Sequence, residues 1–410
     1  MAVFGRSRKI IAPRKKRAIV LRNPTRLPAR LIGFCALLCL AALAACAGYG
    51  DNGPASAVAL KEADAHSTAP GHVTPIIVKT LVGDLREPWG MDFLPDGRLL
   101  ITEKSGTLNI FNPEDWQRQQ VANAPVSAEA GQGGLMDVLV HPDFTNNGWL
   151  YLSYAIELDG LYTTRVSRLR LAGHELVDQV DLFTALPYFE QRRHFGSRLL
   201  LADGYLYITV GDRGNRDLAQ SLETHNGKVI RLHEDGATPA DNPFADKLGA
   251  RPEIWTYGHR NPQGIARHPH NGAIWIAEHG PQGGDEVNVL SAGHNYGWPL
   301  ITYGEEYGGG KIGRGTHGAG LQQPLVYWQP SIGAGNIAFY SGDRYPDWQD
   351  SLLVAGLRLA RISRLELEGD GLGHETRLLA DLKLRIRDIQ VGPDGLVYAL
   401  AGGSRLIRLQ

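Results

Sequence analysis

The chain has 410 residues, of which 43% are hydrophobic and 21% charged, and its formal net charge is −1. This near-neutral balance argues against a nucleic-acid-binding protein, which would need a basic face. The 50 glycines exceed the usual share of about 7% in globular proteins, and they are spread along the chain. We therefore expect a globular protein with many tight turns. Three methionines and no long apolar helical period argue against a helical bundle.

The N-terminal segment predicts an exported protein. A basic stretch, residues 6–30, precedes an uncharged apolar stretch, residues 31–45. The apolar stretch has the length of a signal-peptide core and is short for a membrane span. It ends in a Leu-Ala-Ala-Cys sequence at Cys46, which resembles the cleavage box of bacterial lipoproteins. We expect residues 1–45 to be a lipoprotein-type signal peptide and the mature protein to be periplasmic, with a lipid anchor at Cys46 as its only membrane attachment. An ordinary signal peptide cut near an Ala-x-Ala site is the alternative.

All three cysteines, Cys35, Cys39 and Cys46, lie in or at the end of this leader. A mature chain that starts at Cys46 has no thiol pair, which excludes a disulfide, a cysteine nucleophile and a thiolate zinc site. Residues 46–73 are rich in Ala, Gly, Asp and Ser and predict a flexible tether. The folded domain is predicted over residues 74–410.

One pattern recurs six times in this domain: an apolar strand, a tight turn of Pro, Asp, Asn or Gly, and a second strand of alternating large residues. The copies lie at residues 89–101, 134–152, 196–210, 264–277, 337–355 and 388–400. Since a four-stranded blade takes about 40–50 residues, these spacings predict an all-β fold, a six-bladed β-propeller of four-stranded antiparallel blades. A strand at Ile76-Ile77-Val78 would complete the last blade and close the ring. A β-sandwich with similar hairpins is the alternative.

Polar residues concentrate at the repeat boundaries, which would converge on one end of the propeller axis. Four arginines there suit a ligand with several carboxylates or phosphates. They are Arg260, Arg358, Arg385 and Arg387. His194 is suited to accept a proton near neutral pH, with Asp212 to orient it.

Other residues at these boundaries suit a hard cation such as Ca²⁺. Asp285, Glu286 and loop carbonyls near Gly280 and Tyr296 are oxygen ligands of the kind that calcium prefers. Trp298 and Trp328 are expected in the core or at the channel rim, and Trp328 is a candidate for stacking on a sugar.

Four segments carry a resemblance to a known family: His194-Phe195-Gly196, residues 258–262, residues 279–286 and residues 295–299. They resemble the soluble PQQ-dependent glucose/sorbosone dehydrogenases, in particular their bacterial aldose sugar dehydrogenase branch, where PQQ is pyrroloquinoline quinone. The likeness covers roughly residues 75–410. It implies a six-bladed propeller with PQQ flat over the channel mouth and Ca²⁺ bridging cofactor and protein.

The resemblance also implies roles for individual residues. The catalytic residues would be His194 as base, Asp212 as its acidic neighbour and Arg260 as a charge stabiliser. The implied PQQ contacts are Gln132, Arg260, Asn261, Pro281, Tyr307, Gly356, Leu357, Arg358, Arg385, Ile386 and Arg387. The implied Ca²⁺ contacts are Gly280, Pro281, Glu286 and the Tyr296 carbonyl.

The implied reaction is oxidation of an aldose at C1 to an aldonolactone, with electrons passed on to an external acceptor, a quinone or a redox protein. The chain resembles the shorter, broad-specificity branch of this family, so we expect a monomer. Two alternatives stay open. A Ca²⁺-dependent propeller hydrolase, such as a lactonase, would not need four arginines. A non-catalytic propeller that binds a sugar or a partner protein could lose His194, or Arg385 and Arg387, without penalty.

Overall fold

The computed structural model describes residues 58–61, 76–369 and 371–410. The predicted signal peptide and the three cysteines lie outside these ranges. In the described part, regular structure is almost entirely strand, with one single-turn helix, α1 (Phe144–Asn147), and short 3₁₀ turns. The 3₁₀ turns are Arg216–Gln220, Pro346–Trp348 and Ala380–Leu382. Within the described residues, no helix is long and apolar enough to cross a membrane.

The first three blades each have four strands in sequence order from the inside outward. Blade 1 contains β3 (Pro88–Phe93), β4 (Leu99–Glu103), β5 (Thr107–Phe111) and β6 (Arg118–Val121). Blade 2 contains β7 (Leu135–Val140), β8 (Trp149–Leu158), β9 (Leu161–Ala172) and β10 (Glu175–Thr184). Blade 3 contains β11 (Leu199–Ala202), β12 (Tyr205–Val210), β13 (Lys228–His233) and β14 (Ile254–Tyr257).

The other three blades repeat this order, except that blade 4 has an additional outer strand and blade 6 takes its outermost strand from the N-terminal side of the domain. Blade 4 contains β15 (Pro262–Arg267), β16 (Ile274–Glu278), β17 (Asp285–Val289) and β18 (Val326–Gln329). Blade 5 contains β19 (Ala334–Phe339), β20 (Leu352–Gly356), β21 (Arg361–Glu368) and β22 (Gly371–Leu378). Blade 6 contains β23 (Ile386–Val391), β24 (Val397–Ala401), β25 (Arg405–Leu409) and, as its outermost strand, β2 (Val78–Val82).

The innermost strands follow one another around a closed ring. Each of β3, β7, β11, β15, β19 and β23 contacts the innermost strand of the next blade, and β23 returns to β3. The N-terminal strand β2 pairs with β25, and Ile77 and Gln410 exchange two backbone hydrogen bonds of 2.8 Å. The predicted six-bladed propeller and its closing strand are confirmed, and the β-sandwich alternative is wrong. A further strand, β1 (Val58–Lys61), pairs in parallel with β18 and lies within the predicted tether.

The core is divided into apolar layers between neighbouring blades. Between blades 4 and 5, for example, Trp275 and Trp328 pack with Ile337 and Val354. Strands between two such layers are buried on both faces. All five residues of β4 are buried, and the first three of them, Leu99, Leu100 and Ile101, are apolar. Trp328 is fully buried there and donates to Glu375 at 3.0 Å. It lies outside the cavity lining described below, so the expectation that it stacks on a sugar is wrong.

Side chains on the innermost strands connect the blades around the axis. The buried Arg198 of the turn before β11 donates to Asp137 in β7 at 2.8 Å and to the carbonyl of Gln263 in β15 at 2.9 Å. It also lies 3.3 Å from Asp388 in β23, whose carboxylate accepts the backbone N–H of Met91 in β3 at 2.8 Å. These bonds fix neighbouring blades at their inner ends, and thereby the loops that begin each blade.

Candidate active site

A cavity of about 580 Å³ lies at the end of the propeller where the blades begin. All six blades contribute residues that precede or open their innermost strands. One from each blade is Pro88, Gln132, His194, Asn261, Gly333 and Arg385. The repeat boundaries therefore converge as the sequence predicts.

Most of the residues implied by the family resemblance line this cavity. They are Gln132, His194, Arg260, Asn261, Gly280, Pro281, Tyr307, Leu357, Arg358, Arg385 and Arg387. Asp212 lies behind His194, in contact with its ring. Gly356 is the last residue of β20, and Ile386 is fully buried in the core between blades 5 and 6, so neither lines the cavity.

His194 and Asp212 form a buried hydrogen-bonded pair. The Nδ1 of His194 lies 2.7 Å from Oδ1 of Asp212, and the His194 side chain is only 12% exposed. The other carboxylate oxygen of Asp212 accepts the indole N–H of Trp298 at 2.8 Å. Since Asp212 is held from both sides, it fixes the imidazole with its proton on Nδ1, which leaves the lone pair on Nε2.

The backbone around His194 is held in an unusual conformation. His194 has a φ of 54°, in the left-handed region that non-glycine residues rarely adopt. Its N–H donates to the amide oxygen of Gln132 at 2.7 Å. Two residues on, the amide oxygen of Asn261 accepts the N–H of Gly196 at 3.1 Å. Two of the implied cofactor contacts, Gln132 and Asn261, therefore also hold the segment that carries His194.

The electrostatic surroundings keep His194 neutral at neutral pH. Burial lowers the pKa of His194 below its ordinary value, and the hydrogen bond to Asp212 only partly offsets this, while the charge of Arg260 lowers it further. Burial alone would raise the pKa of Asp212. The hydrogen bond from His194 and the charge of Arg260 reverse that effect, so the pKa of Asp212 lies below its ordinary value. The pair thus combines a neutral imidazole with an ionised carboxylate, the arrangement of a general base.

The four predicted arginines give the cavity a positively charged lining. Among the described residues, no carboxylate makes an ion pair with Arg260, Arg358, Arg385 or Arg387, although Lys104 at the same cavity pairs with Glu87 at 2.8 Å. Burial, reinforced by the charges of Arg198 and Arg385, lowers the pKa of Arg387 to about 9. Unpaired guanidinium groups gathered around one cavity favour an anionic ligand.

Two further residues of the site were not predicted. The amide oxygen of Gln263 lies 2.7 Å from Nη1 of Arg387 and 3.1 Å from Nε2 of His279, and all three residues line the cavity. Burial and the charges of Arg387 and Arg260 hold the pKa of His279 well below its ordinary value, so this imidazole is neutral. The sequence does contain a signal for His279, because this residue begins the segment 279–286, in which Gly280, Pro281, Asp285 and Glu286 are predicted to bind Ca²⁺.

The implied calcium contacts are divided between two places. Gly280 and Pro281 line the cavity, whereas Glu286 and Tyr296 do not. Glu286 bonds to Asn288 at 3.2 Å, and burial followed by the neighbouring Glu278 raises its pKa to about 8. The Tyr296 hydroxyl donates to the Val289 carbonyl at 2.6 Å. In the part of the chain that the structure describes, no group of three or more His, Cys, Asp or Glu residues is placed to hold a metal ion.

Fold and site together define a six-bladed propeller enzyme with a cationic cavity and a buried histidine–aspartate pair. The family model for glucose/sorbosone dehydrogenases matches residues 85–408, and the chain belongs to this oxidoreductase family.

Individual relatives agree with this assignment. An aldose sugar dehydrogenase of Escherichia coli strain K12 is 40% identical over 339 residues, which is 80% of this chain and 90% of that protein. The crystal structure of the soluble aldose sugar dehydrogenase from Escherichia coli, in its apo form, has a TM-score of 0.80 at 38% identity and covers 82% of this chain and 99% of its own. A PQQ-bound aldose sugar dehydrogenase from Streptomyces coelicolor shares the fold, with a TM-score of 0.68 at 24% identity, and covers 82% of this chain and 98% of its own.

Proposed function

We propose that this protein is a PQQ- and Ca²⁺-dependent dehydrogenase that oxidises aldose sugars at C1 to aldonolactones. The proposal rests on four arginines that make no ion pair in the described part of the chain and on a buried neutral histidine, all around one cavity. The first feature suits a cofactor with several carboxylates, and the second suits removal of a hydroxyl proton.

The cavity fits such a cofactor. Its volume of about 580 Å³ lies within the range of roughly 300–1,000 Å³ that small-molecule sites occupy. Arg358, Arg385 and Arg387 would bind carboxylates, and the amides of Gln132 and Asn261 lie beside the same space. When bound, PQQ supplies an electrophilic quinone carbon that accepts a hydride.

Calcium fits only together with an anionic cofactor. Gly280 and Pro281 offer neutral carbonyl oxygens, which are hard ligands of the type that Ca²⁺ takes. Glu87 is the only acid among the described residues that line the cavity, and it is paired with Lys104. The carboxylates of the cofactor would therefore balance most of the charge of the cation, which would polarise the quinone. Glu286 and the Tyr296 carbonyl stay predicted ligands of a further Ca²⁺.

His194, Asp212 and Arg260 have separate roles in the removal of the proton. Nε2 of His194 accepts the proton of the anomeric hydroxyl as the hydride leaves C1, so the imidazole becomes a cation. The ionised Asp212 stabilises that cation at 2.7 Å and keeps the ring oriented. Arg260 supplies positive charge in the cavity, where negative charge develops in the transition state.

Reconstitution of the purified protein tests this function. The protein freed of cofactor is incubated with PQQ, with Ca²⁺, with both or with neither, and dye reduction is followed with a panel of mono- and disaccharides. Activity is expected only with both additions, and the product is expected to be the lactone. No activity with both, across the whole panel, would contradict the proposal.

The hydrolase and the non-catalytic propeller are less well supported. A hydrolase has no use for four unpaired arginines, and a purely binding protein has no use for the His194–Asp212 pair. Adding a lactone to the same four mixtures and following its hydrolysis distinguishes the hydrolase, because hydrolysis would proceed without PQQ, and a purely binding protein would turn over neither sugar nor lactone.

We further propose export to the periplasm, lipidation at Cys46, a monomeric state and an external electron acceptor. The support is the basic, apolar and small-residue order of residues 6–46 and the likeness to the broad-specificity branch. Mass spectrometry of the mature N-terminus tests the anchor, and an unmodified first residue would contradict it.

A further inference from the structure

Arg213 is a buried cation next to the candidate catalytic pair. It is only 1% exposed and makes no ion pair among the residues that the structure describes. Its Nη1 donates to the carbonyl of Arg193 at 2.6 Å, and its Nη2 donates to the carbonyl of Gln191. Its backbone N–H donates to the carbonyl of His194 at 3.3 Å. Arg213 therefore bonds to three carbonyls within four consecutive residues that end at His194.

The same guanidinium also contacts the residue after His194. It lies 3.3 Å from the ring centroid of Phe195, whose side chain is fully buried. A guanidinium over an aromatic face is attractive, and more so in a desolvated site. Arg213 thus holds the chain on both sides of His194 without touching the imidazole itself.

The backbone of His194 needs such support. Its φ of 54° is a sparsely populated conformation that persists only when surrounding contacts impose it. A relaxed backbone at this residue would move Nε2 relative to the cavity and Nδ1 relative to Asp212. The bonds from Arg213 to the preceding carbonyls oppose that relaxation.

Packing alone does not account for a cation at this place. Arg213 makes no ion pair among the described residues, and although the charge of Asp212 favours its cation, a buried guanidinium is costly compared with an apolar side chain of similar volume. Burial lowers the pKa of Arg213 to about 9, so the side chain is still charged at neutral pH. What the guanidinium offers beyond an apolar residue is a pair of donors directed at the carbonyls before His194.

We propose that Arg213 is a positioning residue for His194: it fixes residues 191–195 so that Nδ1–H stays on Asp212 and Nε2 stays toward the cavity. The proposal rests on the proposed role of His194 as the base. Its structural part, the orientation of the imidazole, is testable without any turnover.

The experiment compares Arg213→Met and Arg213→Lys with a matched control, Arg231→Met. Arg231 is also a buried arginine of blade 3. It lies 4.3 Å from the ring centroid of Tyr205 and 4.1 Å from that of Trp255, and it bonds to Asn242 at 2.7 Å. No hydrogen bond or ring contact joins it to residues 191–195. The control therefore reports the cost of losing a stacked buried arginine from the same blade.

The first readout is the long-range ¹H–¹⁵N spectrum of the histidine side chains, with His194 assigned by its loss in His194→Ala. The wild type and Arg231→Met are expected to show the Nδ1–H tautomer at His194. Arg213→Met is expected to lose that signature to tautomer mixing or exchange broadening. Arg213→Lys, which keeps the charge and one or two donors, is expected to retain it in part.

The second readout is kinetic, in protein loaded with PQQ and Ca²⁺. Arg213→Met is expected to lower kcat by about 10- to 100-fold, because displacing a reacting group by about 1 Å lowers the rate by a factor of this order. KM for the sugar and Kd for PQQ are expected to change by less than about threefold. Arg231→Met is expected to keep kcat within about twofold, and Arg213→Lys to lie between the two.

The outcomes separate this proposal from the proposed function. A wild type that oxidises no sugar overturns the dehydrogenase activity, while the histidine spectrum still decides the role of Arg213. An unchanged His194 tautomer in Arg213→Met, or a loss of kcat no greater than in Arg231→Met, overturns the positioning role. Should Arg213→Met not fold, an Arg213→Lys variant with wild-type spectrum and kcat would overturn it equally.

Discussion

At the scale of single residues, the state of His194 is a balance of three opposing effects. Burial and Arg260 disfavour the imidazolium, and Asp212 favours it. The net pKa lies below the ordinary value, so the free base predominates at neutral pH, while the adjacent carboxylate is ready to stabilise the charge that proton transfer creates. This balance makes His194 the residue on which turnover should depend most.

His194→Ala is expected to keep PQQ binding and to lower turnover by about 10²- to 10⁴-fold, the contribution of a positioned general base. Cofactor binding is measured by titration and turnover by the dye assay. His270→Ala serves as control, because His270 lies in a hairpin turn, 62% exposed and 2.8 Å from Asp350. Near-normal turnover of His194→Ala would remove the residue from its assigned role.

Asp212→Asn is expected to change the pH profile in a definite direction. The proposed base role requires neutral His194, so the rate is expected to fall as the pH falls through the pKa of His194, which burial holds below its ordinary value. Asp212 raises that pKa, and its loss lowers the pKa further, while Arg260 and Arg193 continue to lower it. The acid limb of kcat/KM should therefore move to lower pH, and the maximal rate should drop roughly 10²-fold. A limb that moves to higher pH would contradict this account.

The sequence predicts much of the site because the residues that act on a ligand lie in long, specific segments. His194, Arg260, Asn261 and Pro281 all belong to such segments and all line the cavity. Arg198 could not be found in this way, because its partners lie at sequence separations that no local pattern records. Asp137 is 61 residues away, and the carbonyl of Gln263 is 65 residues away.

At the scale of elements, the 3₁₀ turn Arg216–Gln220 contacts Trp298, which is hydrogen-bonded to Asp212. Nζ of the fully buried Lys228 donates to the carbonyls of Leu218 and Ala219 at 3.0 Å each and to that of Asn226 at 2.6 Å. The turn Arg216–Gln220 ends in Gln220, which donates to the carbonyl of Trp298 at 2.7 Å.

Trp298 in turn donates to Asp212 at 2.8 Å. Lys228, the first residue of β13, is thereby connected through this turn and Trp298 to the His194–Asp212 pair. The connection was not predicted, because it depends on three backbone carbonyls rather than on a side-chain motif.

Lys228→Met is expected to destabilise the protein by roughly 2–4 kcal/mol, because it leaves buried carbonyl acceptors without a donor. Chemical denaturation measures the change in the free energy of unfolding. Lys247→Met is the control, since Lys247 is exposed and its loss should stay within about 0.5 kcal/mol. Equal stabilities of the two variants would show that the three carbonyl contacts of Lys228 do not matter.

At the scale of the whole molecule, the sixfold repeat predicts the ring because each copy contains the tight turn that joins two strands of one blade. What the repeat leaves open is the length of the outer strands. β8 and β9 of blade 2 have 10 and 12 residues, against 5 each for β4 and β5 of blade 1. Such differences follow from exposed hairpin ends, which packing against neighbouring blades does not constrain.

Closure of the ring by β2 should contribute strongly to stability. A chain that begins at residue 83 lacks β2, and a chain that begins at residue 74 keeps it. We expect the shorter chain to be less stable by about 3 kcal/mol or more, since it loses the buried Val82 and the hydrogen bonds to β25. Denaturation midpoints compare the two chains, and equal midpoints would show that closure does not depend on this strand.

The proposed function requires this cavity to bring PQQ and the C1–H bond of an aldose together. Rapid mixing of the PQQ- and Ca²⁺-loaded protein with glucose, or with the most reactive aldose, tests it most directly, with normal sugar compared with sugar deuterated at C1. Normal sugar is expected to reduce the bound cofactor without any dye, and deuterium at C1 is expected to slow this reduction several-fold. The proposed function would be contradicted if no aldose reduced the bound cofactor. It would also be contradicted if the chemical step limited the rate of reduction and deuterium at C1 did not change that rate.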